Sequence, residues 1–379
     1  MKTVQLKKSK NSDWEYLSEN IELNAPLVLV FGNRIMLDND SIYEEIKCIF
    51  KDGHIVFGSS SGDISSSTVN EDTITITAIE FERSTFTIKT TNVLDSKNKL
   101  NSHSIGKELI SQFDENNLKY VFVISEGSFI NGSQLTLGMN SATENNLLIT
   151  GALCGDDARF EKTISSYNEK PKPGEIVAIG LYGDSLEVSF SINGGWTPFG
   201  PERIVTKSEG NTLYELDGLP ALDLYKKYLG EKSKDLPGAA LLYPLNVKSS
   251  QENHSIVRTI LNIDEEANSM ILAGDIFENS KVQLMMTNVD NIVNAAEQAA
   301  INAAELRKTK PELAILVSCI GRKLVLDQRV EEEVEEVIEV VGTKTTVTGL
   351  YSYGEIAPFI GESNCQLHNQ TMTVTLISE

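Results

Sequence analysis

The sequence predicts an α+β protein of two related domains, with mixed β-sheets covered by helices, and three observations predict it. Short, almost wholly apolar runs, Leu27-Val28-Leu29-Val30-Phe31 and Ala314 to Ile320, suit strands covered on both faces. Alternating runs, Thr73 to Thr77 and Thr85 to Lys89, suit antiparallel strands with one wetter face. One order of elements also occurs twice: a strand, a Gly turn, a helix, a strand and a second Gly turn. Gly32 and Gly62 bracket the first copy, Gly321 and Gly354 the second. Chance likeness of two short βαβ-like units is the bland explanation; duplication of one unit is the better one.

Along the chain, residues 1–25 read as a polar, mobile lead-in ending at Asn24-Ala25-Pro26. The strand Leu27 to Phe31 is followed by Ile42, Ile46, Ile49 and Phe50, one face of a helix behind Asp38, Asp40 and Ser41 as capping candidates. His54 to Gly58 gives a second strand, and the two threonine-alternating runs read as a hairpin. A helix is expected near Ser104 to Phe113, a strand at Tyr120 to Ile124, a loop-rich stretch from Gly132 to Asn146, and a strand at Leu147 to Thr150. Strands at Glu175 to Tyr182 and Leu186 to Ile192 end at Asn193-Gly194, a tight-turn signal because both residues tolerate positive φ.

A domain boundary is placed at 217/218, giving domains 26–217 and 218–379. Beyond it come a helix at Ala221 to Leu229, strands at Ala240 to Tyr243, Ile256 to Ile263, Met270 to Ala273 and Val282 to Met286, and an alanine-rich helix from about Asp290 to Arg307. The second copy of the repeat follows. Its helix carries Val330, Val334, Val337, Ile338 and Val341 on one face and six glutamates between 331 and 339, which read as a solvated face. The chain ends in an alternating strand, Thr371 to Ile377.

Composition excludes several classes of function. With 33 Lys+Arg against 54 Asp+Glu, the chain of 379 residues carries a net charge of -21, which argues against a partner bound through its phosphate backbone, so no nucleic acid is expected. No apolar run approaches about 18 residues and no export signal follows the lysine-rich start, so no membrane span and a cytoplasmic location are expected. Cys48, Cys154, Cys319 and Cys365 form no C-x-x-C pair and read as reduced, mostly buried thiols. Gly349 and Gly354 have the spacing that opens a phosphate loop, but Glu355 stands where lysine must be, which rules out nucleotide binding by that route.

The candidate site residues cluster at the turns. Asp63 and Glu355 follow the second Gly of the two copies and suit either capping of backbone amides or a cationic ligand group. His368, Asn369 and Gln370 lead into the last strand, either as a pocket rim or as a satisfied polar cluster. Arg258 and Arg322 sit beside apolar strand or turn residues and offer planar forks to a carboxylate, with salt bridges as the ordinary outcome. Asp156, Asp157 and Arg159 form a further polar cluster. A Cys319–His368 nucleophile pair, making the chain a cysteine-dependent hydrolase, is the enzymatic alternative.

Five phrases in order carry a family resemblance: Gly195-Trp196-Thr197-Pro198-Phe199-Gly200-Pro201, Leu213 to Gly218, Ser318-Cys319-Ile320-Gly321-Arg322, Tyr351 to Ile356 and Leu367 to Thr373. Together they resemble the bacterial FIST proteins, over residues 26–379. The resemblance implies a FIST N-terminal and a FIST C-terminal domain and a non-enzymatic sensory role. It also implies a small ligand, amino acids among the candidates, and a separate signalling partner such as a histidine kinase or a cyclic-dinucleotide enzyme. One branch of the family binds haem and senses nitric oxide. For haem, His368 would be the metal ligand, with Tyr351, Tyr353 and Cys319 as further axial candidates. For an amino acid, Arg258 or Arg322 would clamp the carboxylate, with Glu355 or Asp156 facing the amine.

Overall fold

The structure, a computed structural model, describes residues 1–95, 101–143, 147–249 and 254–379. It is α+β with mixed sheets, and its core repeats one unit three times rather than two. In each unit a central strand has a parallel neighbour on one side, reached through a helical crossover, and an antiparallel strand on the other. The central strands are Leu27–Asn33, Leu118–Ser125 and Leu313–Cys319. Their parallel neighbours are His54–Ser60, Leu148–Leu153 and Thr346–Ser352. Their antiparallel partners are Thr73–Glu80, Glu175–Tyr182 and Met372–Ser378. An outer strand completes each set: Lys2–Ser9, Thr85–Asn92 and Glu187–Asn193.

The three units exchange arms in a closed cycle. The chain leaving the parallel strand of the first unit, Asp63–Ser65, pairs with Thr346–Ser352 of the third. The arm of the third, Gly354–Pro358, pairs with Leu148–Leu153 of the second, and that of the second, Ser165–Tyr167, pairs with His54–Ser60 of the first. Leu29, Phe31, Phe122, Ile124, Val177, Ile179, Ile315, Val317 and Leu350 pack into one shared apolar core drawn from all three units.

Residues 197–286 form an insertion in the third unit. Seven strands run in the order Ile256–Arg258, Leu245–Lys248, Lys281–Met286, Thr197–Glu209, Thr212–Leu216, Ser269–Leu272 and Ile260–Asp264. The first and last of that path are consecutive in the chain, joined by Thr259, so the sheet curls around a core of its own. Helix Ala221–Leu229 adds Leu222 and Tyr225 to that core. The chain enters and leaves this curled sheet side by side, with Pro198 opposite Met285 and the Thr287 hydroxyl donating to Gly195 O at 2.7 Å.

Several expectations need correction. Within the lead-in, Lys2–Ser9 is a strand paired along its whole length with Thr73–Glu80, burying Val4 and Leu6. The run K-T-V-Q-L-K-K-S shows only two apolar residues because its ends carry lysines and its other face buries a polar side chain, Gln5, which donates to Thr77 Oγ1 at 3.0 Å and Val347 O at 2.8 Å. The expected hairpin of the threonine-rich runs does not form: its strands lie in sheets of different units. Asn193-Gly194 turns no hairpin either, since its flanking strands join different sheets and Arg322 grips both carbonyls. Residues 240–242 belong to a 3-10 turn, Gly238–Leu242, and Tyr243 caps it.

Gly132–Asn140, read as loop, is a helix; residues 144–146 of that stretch lie outside the described residues. Its small residues are there for packing. A Cβ at Gly138 would meet His103 O at 1.9 Å and one at Gly106 would meet Leu135 O at 2.2 Å, so these glycines let it lie against helix Ser102–Ser111. Among the glutamates of helix Glu332–Val341, Glu333 is buried, because it shares the face of Val330, Val334 and Val337.

Candidate functional site

The parallel pair of each unit ends at a crevice between the central strand's loop and the arm of another unit. In the first unit the crevice is filled by paired, charged side chains. Asp156, buried, accepts from Arg34 Nε at 3.0 Å, from Arg159 Nε at 2.9 Å and Nη2 at 2.6 Å, and from Lys162 N at 3.3 Å, and these partners hold its carboxyl below the usual range against the cost of burial. In the third unit Gln370 closes the space over Gly321, where a Cβ would lie 2.3 Å from the Gln370 amide. The crevice of the second unit stays open, and the edge of the curled sheet roofs it.

There lies a cleft of about 490 Å³, within the range of sites for small molecules. Its floor is the segment Gly127 to Gly132, where the chain leaves strand Leu118–Ser125 for helix Gly132–Asn140. Leu153, Phe160, Glu161, Tyr353 and Leu367 make one wall; Asn211, Leu261, Asn262, Leu272, Ala273 and Gly274 of the curled sheet make the other. Position at the carboxyl ends of parallel strands is where open α/β sheets ordinarily bind ligands.

Buried carboxylates shape this cleft from behind. Glu126 accepts from Ser128 N at 2.8 Å and from Phe129 N at 2.9 Å, pinning the floor, and burial pushes its carboxyl up. Asp275 of the curled sheet accepts from Asn131 Nδ2 at 2.7 Å and from Gln134 Nε2 at 2.6 Å, while its N–H donates to Ser133 Oγ at 3.1 Å. Arg258, behind the wall of Gly274 and Leu367, donates to Leu367 O at 2.8 Å, Asp275 O at 3.2 Å and Ser133 Oγ at 3.4 Å. Gln370 reaches the same sheet from the other side through Leu241 O and Thr259 Oγ1, at 2.9 and 3.0 Å. These bonds clasp the curled sheet to the threefold core beside the cleft.

Of the residues singled out in the sequence, Tyr353 lines this cleft and Arg258 supports it. The others sit in interior networks. Arg322 and Glu333, both fully buried, pair at 2.6 Å, and Tyr351 O–H and Ser318 Oγ donate to Glu333 Oε1. Glu355 accepts from Ser352 Oγ at 2.7 Å and from Thr371 N and Oγ1 at 3.1 and 2.9 Å, which makes it a capping group, as Asp63 is toward Ser60 at 2.6 Å and Thr73. Asp63, Asp156 and Glu355 all follow the glycine of a unit's arm, so the acidic turn is part of the repeat. Asn369 Nδ2 donates to His368 O.

Neither the haem ligand nor the nucleophile pair fits. His368 is buried, its Nε2–H donates to Ala357 O at 2.9 Å, and its ring stands edge-on to Phe359. Burial holds the imidazole down at about 4, so it is neutral, but the nitrogen used on Ala357 is not free for iron. The Tyr353 hydroxyl is likewise spent on Asp157 O and Phe160 N, and that of Tyr351 on Glu333. Cys319 is buried, its thiol pushed up by burial and by Glu355, the reverse of what activates a nucleophile. Cys154 and Cys365 are buried free thiols and Cys48 is exposed.

Sequence reasoning missed Glu126, Phe129, Asn131, Phe160 and Asp275. A local signal existed at two of them: Asn131 precedes the helix in N-cap position, its Oδ1 accepting from Gln134 N at 3.0 Å, and Glu126 follows an apolar strand where a charge has no reason to be unless bonded. No helix among the described residues is long and apolar enough to cross a membrane.

Comparison with known proteins agrees with the five phrases. Residues 26–219 match the FIST N domain and residues 221–358 the FIST C domain. The uncharacterized protein MJ1623 of Methanocaldococcus jannaschii is 26% identical over an alignment 278 residues long that covers 66% of this chain and 49% of that protein. The chain thus spans about half the length of this curated relative. FIST domains are sensor domains of signal-transduction proteins and bind small ligands. With both models matched in order across the threefold core and its insertion, the chain belongs to the FIST family.

Proposed function

We propose that this chain is the sensing member of a signalling pair: it binds a small organic molecule in the cleft between the second unit and the curled sheet, and a separate protein, such as a histidine kinase or a cyclic-dinucleotide enzyme, reads the bound state. The observation that carries this reading is the cleft itself, because its two walls belong to bodies joined by two adjacent chain crossings and by the side-chain bonds of Arg258, Asp275 and Gln370. A ligand touching both walls changes the free energy of holding them together, and any partner surface that spans them feels the change. An amino acid clamped by Arg322 and Glu355 does not suit the geometry, since both side chains are already satisfied; the ligand belongs with Tyr353, in the cleft whose wall Arg258 supports from behind. No turnover is assigned, because Cys319 and His368 make no activated pair.

A thermal-shift screen of metabolites tests this, repeated on Asn262→Trp, which places an indole in the cleft from an exposed position. A hit whose shift vanishes in the variant supports the site. A hit that survives the variant sinks it.

A further inference from the structure

The lining of the cleft has a sign. Among the described residues it holds one acidic side chain, Glu161, and no lysine, arginine or histidine. An anion would ordinarily settle at the start of helix Gly132–Asn140, but the protein's own Asp275 carboxylate already sits with the Asn131 and Gln134 amides that flank that start. Arg258 is buried behind the wall with its donors on Leu367 O, Asp275 O and Ser133 Oγ, and Arg34, 3.4 Å from the Glu161 carboxylate, is outside the lining and bonded to Asp156 at 3.0 Å. The lining therefore turns no cationic side chain toward a ligand carboxylate or phosphate.

Aromatic faces are abundant instead. Phe160 is 38% exposed and Phe129 57% exposed, and both line the cleft. Phe160 has φ +52°, a left-handed conformation that a bulky residue adopts only when its surroundings impose it. Its surroundings do: its ring stacks on Tyr353 at 4.5 Å, and its N–H donates to the Tyr353 oxygen at 3.1 Å. The outer face of a strained, rigidly backed ring is thus held open rather than folded away. Glu161 follows it directly, its carboxylate 3.4 Å from Arg34 Nη2 and largely in solvent.

We infer that the cleft takes an organic cation, an amine or quaternary ammonium on an apolar or ring-bearing body, with the charge answered by Glu161 and by the faces of Phe160 and Phe129. Ring quadrupoles and a nearby carboxylate together are the usual means of recognising such groups, and the chain's charge of -21 draws cations toward it. The inference rests on the cleft being the ligand site.

Three probes sharing one ring test it by titration calorimetry on the full chain: phenylethylamine, phenyltrimethylammonium and phenylacetate. The two cations should bind and phenylacetate should not. Glu161→Gln and Phe160→Leu should each weaken the cations roughly tenfold, Glu161→Gln more at low salt than at high. Because Phe160→Leu acts on a strained loop, its melting temperature is measured alongside, and the exposed Glu161→Gln serves as the variant whose folding is not in question. Phenylacetate binding as tightly as the amine, or no cation binding at millimolar concentration, overturns the inference. If binding is lost in Asn262→Trp but indifferent to Glu161→Gln and Phe160→Leu, the cleft stands and the cation falls; if binding persists in Asn262→Trp, the cleft falls with it.

Discussion

Tyr353 and Phe160 hold each other by two contacts at once: the Phe160 N–H donates to the tyrosine oxygen, and the rings lie 4.5 Å apart with planes within 16°. The same hydroxyl donates to Asp157 O at 2.9 Å, so one phenol fixes both the bend and the tip of the loop that reaches the cleft. Tyr353→Phe keeps the ring and removes the oxygen, leaving the Phe160 N–H without its partner. The expected cost is about 1–2 kcal/mol in urea unfolding, with a several-fold loss of ligand affinity. An unchanged affinity would show that the loop needs only the stacking.

Arg322 and Glu333 should behave as a unit. The guanidinium gives two bonds to Glu333 Oε2, at 3.0 and 2.6 Å, and others to Gly194 O at 2.7 Å and Ile292 O at 3.0 Å, all in the interior. Arg322→Met strands a buried carboxylate and should cost on the order of 3–5 kcal/mol, while adding Glu333→Leu should recover part of that loss. Melting temperatures of the two single variants and the double variant measure it.

Acid stability should show an inverted slope at slightly acid to neutral pH. Burial pushes Asp63 up to about 7 and Glu355 up to about 8, against the hydroxyl and amide bonds that hold them down. The native state then keeps protons that the unfolded chain releases near its ordinary carboxyl values, so stability is full at low pH and falls as pH rises through 7 and 8. Neutral, buried His368 works the other way, but only below its ordinary value of 6.5. Between about pH 6.5 and 8 the fall should reach up to roughly 1.4 kcal/mol per unit for each group still titrating. Glu355→Gln should flatten the upper part of the curve; a wild-type profile that rises across this window would refute the assignment.

Glu126→Gln tests the floor of the cleft. A carboxamide keeps one acceptor oxygen but turns an N–H group toward the amides of Ser128 and Phe129. A loss of about 1–2 kcal/mol is expected, with faster amide exchange confined to residues 127–132, read by hydrogen-exchange mass spectrometry.

Local patterning carried much of this molecule. The strands at Leu27, Leu118, Glu175 and Leu313 and the alanine-rich helix Val289–Glu305 were legible because their burial is written in apolar runs and small residues at helical spacing. The second unit was hidden by its own packing, since the glycines that let helix Gly132–Asn140 lie against its neighbour also remove the amphipathic signal. The cleft was legible in one lining residue, Tyr353. Phe160 and Asp275 looked like ordinary loop residues, and only pairing across more than a hundred residues gives them their places.

The closed cycle of arms also governs how the chain can be divided. A cut after residue 217 separates Gly354–Pro358 from Leu148–Leu153, Asp63–Ser65 from Thr346–Ser352, and Thr212–Leu216 from Ser269–Leu272, so three of the four sheets lose a partner strand. Neither half keeps a complete set of hydrogen-bonded edges, and the two halves form one cooperative folding unit. Expressed alone each should be insoluble, and expressed together they should reassemble into a single species with one melting transition.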